Sequence, residues 1–509
     1  MHESFLNELY EGEIQARDNL QFELKSEFFI YSQRNVYKQE FFVFIPESLH
    51  VNGDTYSKEQ FYSDETSLIR YKTPSLSLKN LVHPQCEDSP LFRLQEMLKE
   101  HKMAEQLAEA EDELKLFGDI FKVSLRDRVK NLLEDLKQDK MQETGKFSHQ
   151  LASLCAETAE VSTLFRQIQA TAQENLSEES IRRYFRYIDE FISSQISYFF
   201  LILLQALRQS NFKHISEIDK LLCQVILRER HYCKKNHLGA KTPEDHPFSN
   251  ESILHRRSLL NQFVLEALTL HNFRVSVAEK HAPLLGALAA GIAMLFYMTF
   301  FAWKVSSIVI TSFPVILFIV FLYILKDRIK EGLKKIYSEQ AYRWFPDYST
   351  EIISPKGYKV GKINESFSFI SEEQLPEGFQ KIRNDDFNEE LQALIRQESI
   401  IQYKREVTLY SHPGTPGGRR RELSTIFRLN MHHLLQKASN AYQLSLFLDP
   451  YSHEIHEQLL PKVYHLNIII RNTIIQPQLI QKSEINKFRV IVDKNGIKHV
   501  EQINHPNDD

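Results

Sequence analysis

The chain has 509 residues, of which 42% are hydrophobic and 25% charged, and this is the composition of a folded protein. Its formal net charge of −5 argues against a chain-wide nucleic-acid-binding surface, which is normally basic, so we expect no nucleic-acid partner. The four cysteines never form a C-x-x-C pattern, which is typical of reduced, buried thiols and disfavours a disulfide framework.

Residues 1–88 are predicted to form a mixed α/β segment with a β-hairpin at its centre. The stretches LQFELKSEFFIY (20–31) and VYKQEFFVFIP (36–46) alternate apolar and polar residues on either side of a short polar turn. The N-terminus has no basic region followed by an apolar core, so we expect it to remain in the cytoplasm.

Residues 89–280 are predicted to form a cytoplasmic helical bundle. Apolar residues recur at helical spacing around the stretch ISYFFLILL (196–204), which is too short for a membrane span and is typical of a buried helix. The last helix of the bundle is expected to run from residue 251 to 280 and to lead into the next segment.

Residues 281–326 are predicted to form a transmembrane helical hairpin. The first arm, APLLGALAAGIAMLFYMTFFAW (282–303), has no charge, and a second apolar arm follows Lys304 and extends to Leu325. Each arm is close to the ~20 residues that a helix needs to cross a ~30 Å hydrocarbon core. The predicted fold class is therefore an α+β membrane protein with a cytoplasmic helical bundle, one two-helix transmembrane hairpin and a β-rich C-terminal domain.

The charges that flank the hairpin predict its orientation. Arg274 and Lys280 precede the first arm, and several basic residues follow the second, so the positive-inside rule places both termini in the cytoplasm. We expect an integral protein with two spans, and a bacterial inner membrane suits this design. The alternative is a re-entrant wedge that enters and leaves the bilayer on the same side.

Small residues on the first arm are predicted to pack against another helix, either the second arm or a second copy. They are Gly286, Ala287, Ala290 and Gly291. Pro314 is expected to kink the second arm. Neither arm contains an acidic residue, which argues against a transport or ion-binding role.

Two basic segments are predicted to contact anions or lipid headgroups. The first is an amphipathic juxtamembrane helix over residues 327–345, and with Lys326 just before it this segment supplies Lys326, Arg328, Lys330, Lys334 and Lys335. The second is the loop SHPGTPGGRRR, whose candidate ligands are Arg419, Arg420 and Arg421. The alternative for this loop is a solvated connection between two strands.

Residues 346–509 are predicted to form a β-rich cytoplasmic domain, with a hairpin turn at Asn495-Gly496. Whether the N-terminal strands belong to the same domain stays open. His453 and His456 lie in HEIHE and are weak candidates for a zinc site, because the spacing is not that of H-E-x-x-H. His432 and His433 are expected on a strand, pointing to opposite faces. We expect neither a metal nor a cofactor.

The sequence contains no G-x-S-x-G, P-loop or local cysteine-protease motif, so no catalytic residue is predicted. We expect a membrane-anchored cytoplasmic scaffold or regulatory protein that contacts the lipid bilayer and another protein or itself. One alternative is a membrane-bound enzyme with its site in the C-terminal domain, acting on a small molecule that the sequence does not identify. A second is an oligomeric two-span pore, which the apolar arms disfavour.

Overall fold

A computed structural model describes residues 14–30, 33–103, 106–137, 144–175, 178–209, 215–239, 249–305, 313–376, 378–384, 398–411, 419, 422–451, 453–476 and 479–503. These residues form mixed helix and sheet with a large β-rich region. They divide into two compact units, one mainly helical and one mainly β. Each unit draws on distant parts of the chain.

The helical unit comprises residues 70–269 and 413–424. Its helices are α2 (Leu78–Val82), α3 (Pro90–Lys99), α4 (Leu107–Lys137), α5 (Thr144–Asn175), α6 (Glu179–Gln209), α7 (Ile215–Lys235) and α8 (Ser249–Leu265). Helix α6 contacts α4, α5, α7 and α8, and its apolar face, from Ile181 to Leu207, is buried. The expectation of a buried helix around residues 196–204 is therefore confirmed.

The β unit comprises residues 13–69, 270–412 and 425–509. Its strands, two of which extend a few residues into the other unit, are β1 (Ile14–Ala16), β2 (Gln21–Phe29), β3 (Arg34–Pro46), β4 (Glu65–Tyr71), β5 (His271–Ser276), β6 (Tyr348–Ile353), β7 (Lys359–Ile370), β8 (Glu398–Tyr410), β9 (Glu422–Asn430), β10 (Tyr442–Leu448), β11 (Ile455–Pro461), β12 (Tyr464–Gln476), β13 (Leu479–Asp493) and β14 (Gly496–Ile503). Its helices are α1 (Lys58–Asp64), α9 (Val277–Val305), α10 (Phe313–Trp344), α11 (Phe379–Asn384) and α12 (His432–Leu435).

The strands form three sheets. An eight-stranded sheet has the order β14-β13-β12-β3-β8-β7-β6-β5, a four-stranded sheet has the order β1-β2-β9-β4, and β10 pairs with β11. The core lies between the two larger sheets, where Phe41 of β3 stacks on Phe427 of β9 with ring centroids 5.0 Å apart. On the other face of β3, Phe42 packs against Phe379 of α11. Strand β3 is therefore apolar on both faces and occupies the middle of the larger sheet.

The N-terminal hairpin expected in residues 1–88 is wrong, although both of its strands exist. In the described part of the chain, β2 lies in the four-stranded sheet, whereas β3 lies between β8 and β12. The physical reason is the burial of β3 on both faces, which requires a central position with partners on each side. The N- and C-terminal β segments thus share one domain.

Helices α9 and α10 contact each other and form a helical hairpin, as the sequence predicts for the two arms. Two details differ from the expectation. The segment before the first arm is strand β5, not a continuation of the last bundle helix, because HNFRVS pairs with β6. Residues 327–344 continue α10 without a break, so no separate juxtamembrane helix begins there. Pro314 directly follows residues that lie outside the description, so the expected kink stays a prediction.

Among the described residues, one helix, α6, is long and apolar enough to cross a membrane by length and composition, and 61% of its most apolar window is buried inside the protein. The apolar part of α9 that satisfies the same composition, Gly286–Thr299, is shorter. The loop expected between the two arms of the hairpin falls largely on residues 306–312, which lie outside the described residues. Two membrane spans therefore stay a prediction.

The turn between β13 and β14 yields a test of the fold. Gly496 has φ +128°, and a Cβ there would lie 1.8 Å from the carbonyl oxygen of Asn19, whereas Gly357 has φ +83° with no atom within 4 Å of such a Cβ. We expect Gly357→Ala to destabilise the protein by ~1–2 kcal/mol through backbone strain alone. Gly496→Ala should cost more, because the backbone around Asn19 must also move. Denaturant unfolding of both variants measures the difference, and equal losses would contradict this packing.

Candidate functional site

The base of the helical hairpin is the candidate functional site, because both helices leave the β unit from one pair of adjacent strands. Strand β5 ends at Ser276 and α9 begins at Val277, while α10 ends at Trp344 and β6 begins at Tyr348. Ser276 pairs with Tyr348 across the antiparallel ladder. The Val277 N–H also donates to the Asp347 carbonyl at 3.0 Å, which extends the ladder to the first residue of α9.

Arg274 on β5 joins two buried carboxylates at this base. Its guanidinium nitrogens lie 3.2 Å from Glu65 Oε2, at the start of β4, and 3.1 Å from Glu365 Oε2, on β7. The guanidinium carbon lies 4.5 Å from the ring centroid of Tyr348 and 4.9 Å from that of Tyr62, as in cation–π contacts. The side chains of Glu65 and Glu365 are almost fully buried, so Arg274 compensates charge that water does not reach.

Strand β8 completes this cluster with a hydroxyl group and a second guanidinium. The Tyr403 hydroxyl donates to Glu365 Oε1 at 2.5 Å, and Arg405 donates to Ser67 Oγ at 2.7 Å. Burial, and then repulsion from Glu365, raise the pKa of Glu65 to about 7, although Arg274 and Arg405 oppose the shift. Burial and the Glu365 charge also raise the pKa of Tyr403, which therefore stays a hydrogen-bond donor.

Asp347, at the end of the hairpin, binds groups from α1 and β7. Its carboxylate lies 2.9 Å from Lys58 Nζ, and it accepts hydrogen bonds from the Tyr62 hydroxyl at 3.0 Å and from the Phe367 N–H at 2.8 Å. Burial, and then the Asp347 charge, raise the pKa of Tyr62. The chain segment that enters β6 from the hairpin is thus attached to two elements of the β unit, α1 and β7.

Together these groups form a compensated charge cluster with a carboxyl group that titrates near neutral pH. Arg274 and Arg405 balance Glu65 and Glu365, and Lys58 balances Asp347. Such a cluster can fix the hairpin relative to the sheet and can take up a proton at Glu65. The cluster therefore connects the hairpin to the β unit.

A second ionisable pair involves Asp64, the last residue of α1, which directly precedes Glu65 of β4. Asp64 is 2.7 Å from His433 Nδ1 and accepts a hydrogen bond from the Tyr56 hydroxyl at 2.9 Å. His432 and His433 lie on the short helix α12, so their expected placement on a strand is wrong. The reason is that β9 ends at Asn430, whose side chain accepts a hydrogen bond from the His432 N–H and turns the chain.

The basic loop residue Arg419 is buried by its partners in the helical unit. Its guanidinium forms two hydrogen bonds with Glu113 of α4 and donates to the carbonyl of Asp88 at 3.1 Å. Its side chain is 6% exposed, so this guanidinium is held by a carboxylate and is not presented to an external anion. Arg420 and Arg421 lie outside the described residues.

The basic residues of α10 are described only in part. Lys326 lies 4.0 Å from the ring centroid of Tyr323, and Arg328 lies 3.7 Å from Glu331 and is exposed. Lys330 is half-buried, and the side chains of Lys334 and Lys335 lie outside the described residues. Lipid binding by this segment therefore stays a prediction.

The weak zinc candidates lie on the β10–β11 hairpin. His453 is in its turn with φ +57°, and His456 on β11 lies 4.0 Å from Asp449. Within the ranges that the structure describes, no group of three or more His, Cys, Asp or Glu side chains is arranged to hold a metal ion.

The small residues of α9 do not share one environment. Gly286 and Ala290 are half-buried, whereas Ala287 and Gly291 are exposed. Ala293 on α9 and Leu322 on α10 are buried, which places the contact between the helices on the side of Gly286 and Ala290.

Sequence reasoning missed the cluster at the hairpin base. The sequence identifies Arg274 only as a basic residue before the first arm, and no pattern singles out Glu65, Glu365 or Tyr403. The available signal was an arginine within an alternating strand-like segment, HNFRVS, directly before the apolar arm. Its carboxylate partners lie about 90 and 200 residues away, at distances that no local pattern indicates.

In comparisons with known proteins, no family model, no curated protein and no solved structure matches the chain.

The shifted carboxyl group makes a pH-dependence prediction. The folded protein keeps a proton on Glu65 up to a pH of about 7, whereas the unfolded chain releases it near the ordinary value of 4.5. Stability therefore falls as the pH rises through this window, by roughly 3 kcal/mol if the full shift applies. Glu65→Gln cannot ionise, so its stability relative to wild type should rise by up to that amount between pH 4.5 and pH 8.

Denaturant unfolding across that pH range measures this relative stability. Glu406→Gln on β8 is the matched control, since this carboxylate is exposed and paired with Lys38, and it measures the effect of removing a carboxylate from the surface. A difference for Glu65→Gln that does not change with pH would contradict the shifted pKa.

Proposed function

We propose that this is a membrane-anchored protein, held in the bilayer by the α9–α10 hairpin, which acts as a scaffold or regulatory protein by binding other proteins or itself. The observation that carries the proposal is the apolar surface of this hairpin. Its exposed large hydrophobic residues are Leu288, Ile292, Met294, Leu295, Phe296, Met298, Phe313, Ile316, Leu317, Val320, Phe321, Tyr323 and Ile324.

A surface of this kind is far larger than the apolar patches that water tolerates on a soluble protein. Helices that are apolar all round are buried in a protein core or in lipid. Helices α9 and α10 have 29 and 32 residues, but their apolar parts in the described chain are shorter, Gly286–Thr299 in α9 and residues 313–325 in α10. The exposed apolar surface therefore supports lipid as its environment.

The base of the hairpin supports an antiparallel pair of spans with the β unit on one side. Both helices start from adjacent strands, so they enter the bilayer from the same face. We place that face, and both termini, in the cytoplasm, because Lys326, Arg328 and Lys330 follow the second span. Arg274 adds little to this orientation, since Glu65 and Glu365 neutralise it. A bacterial inner membrane remains our preferred location.

The charge cluster gives the anchor its function in this proposal. A hairpin joined to a β-sheet by two adjacent strands and by Asp347 cannot swivel freely, so the β unit keeps a fixed orientation to the bilayer. Such an orientation is useful to a protein that presents binding surfaces beside a membrane. No step of a chemical reaction is needed to account for the cluster.

Excision of the hairpin tests the anchor. Replacing residues 278–346 by Asn-Gly joins Val277 to Asp347 through a two-residue turn that suits antiparallel strands. Because Val277 already bonds to Asp347, we expect the β-sheet to form and the protein to stay in solution without detergent. The full chain should pellet with membranes and resist carbonate extraction. A full chain that carbonate releases, or an excised chain that still pellets with membranes, would contradict the proposal.

The orientation is tested with Lys304→Cys, at the end of α9. If both arms span the bilayer, an impermeant maleimide should label this cysteine in intact cells. The wild-type chain is the control, since its four cysteines lie on the cytoplasmic side in this proposal and should remain unlabelled. Labelling only after permeabilisation would favour the re-entrant alternative.

A further inference from the structure

The β10–β11 ribbon is a small sheet whose apolar face is exposed in the described part of the chain. Its strands pair in regular register from Tyr442 with Pro461 to Leu448 with Ile455. Among the described strands, neither β10 nor β11 pairs with any other. A two-stranded ribbon alone is at best marginally stable in water, so this one requires support from outside itself.

Alternation along the two strands gives the ribbon one apolar face. Side chains at alternate positions, and those directly opposite across the ladder, lie on the same face. That face carries Tyr442, Leu444, Leu446, Leu448, Ile455 and Leu459, each between 54% and 68% exposed. The opposite face carries four polar residues, Gln443, Ser445, His456 and Gln458, and two apolar ones, Phe447 and Leu460.

The charge of the ribbon limits what can cover this face. Residues 442–461 contain three carboxylates, Asp449, Glu454 and Glu457, and no lysine or arginine. Anionic lipid headgroups and nucleic-acid phosphates are therefore disfavoured. A second copy carries the same charges, so a contact with it must leave Asp449 and Glu454 in solvent at the rim. The cover must be apolar and must tolerate an acidic rim.

We propose that a second copy of the chain covers this face, so that two ribbons pack face to face around a two-fold axis. A two-fold contact uses the same patch on both partners, and an apolar sheet face can pack on its own copy at ~10 Å. Burial of the six exposed side chains removes on the order of 300–500 Å² of apolar surface per copy. Over two copies this approaches the ~1,000 Å² that a specific interface needs.

This inference rests on the proposed membrane anchor for its strength, because two copies in one bilayer meet at a raised effective concentration. Two copies in the same membrane also share one orientation, which requires the two-fold axis to lie along the membrane normal. Glu457, opposite Leu446, is the one charged residue on the apolar face. In the dimer its carboxylate lies near that of the second copy and opposes the contact.

A photo-crosslinker tests the contact in the full chain. We replace Leu446, on the apolar face, by p-benzoylphenylalanine, and make the matched variant at Ser445, on the opposite face. After irradiation of membranes, we expect an adduct of twice the chain mass from position 446, at least ten times more abundant than from position 445. Equal yields from both positions, or adducts only with lipid or with another protein, would overturn the proposal.

Two further variants test the same contact independently. With the crosslinker at position 459, Leu444→Ser/Leu446→Ser should reduce the dimer adduct at least tenfold, in a chain whose thermal unfolding transition is retained. Glu457→Gln should increase the adduct, because it removes a like-charge repulsion; a basic partner protein would instead bind less well to this variant. An unchanged or lower dimer yield for Glu457→Gln would count against self-association.

Failure of the anchor and failure of the dimer are distinguishable. If carbonate releases the full chain, the anchor is wrong, and irradiation of the soluble protein still reports on the ribbon. If the chain stays in the membrane but yields no dimer adduct, the anchor stands and the ribbon proposal is wrong.

Discussion

The hydrogen-bonded pair of strands β5 and β6 is the constraint on which the hairpin depends. Neighbouring strands lie ~4.8 Å apart, whereas packed helices need 8–10 Å between their axes. The two helices must therefore diverge as soon as they leave the sheet. Arg274 and Asp347 lie at this point of divergence, and their ion pairs and hydrogen bonds to α1, β4 and β7 hold the two chain segments there.

The burial of these charges accounts for the position of strand β5 better than it accounts for the stability of the folded protein. A buried ion pair is often no more stabilising than apolar groups of the same volume, because both charges lose their hydration. Removing one partner is much more damaging, since it leaves a buried charge without compensation. The Arg274–Glu65–Glu365 cluster therefore specifies one arrangement of β5 against β4 and β7, because another register would leave carboxylates buried without a cation.

The sequence predicts the elements of this protein well and their partners poorly. The period-2 pattern of VYKQEFFVFIP indicates strand β3, yet nothing in the pattern says that it pairs with β8 and β12, more than 350 residues away. The alternating pattern of HNFRVS covers only six residues and lies next to a long apolar helix. The sequence therefore predicts a helix over residues 251–280, where the structure has strand β5. Arg419 shows the same limit for a site: three arginines in a glycine-rich loop suggest an exposed anion contact, but Glu113 on α4 buries the first of them. Local patterns carry periodicity and composition, whereas pairing and charge compensation are set by contacts between distant residues.

The position of β3 also governs how the protein is made. Strands β5 to β8 follow one another in the chain and can pair as they are synthesised, but β3 must wait for β8 and then β12 to complete its surroundings. At 5–20 residues per second, the ~430 residues between β3 and the end of β12 take roughly 20–90 s. Until β8 has been synthesised, the run Phe41–Phe42–Val43–Phe44–Ile45 lacks both of its partner strands, and such an apolar run is prone to aggregate. Residues 277–344, which form the apolar hairpin, leave the ribosome midway through this interval. If the hairpin is a membrane anchor, as we propose, the nascent chain reaches the bilayer before the sheet can close.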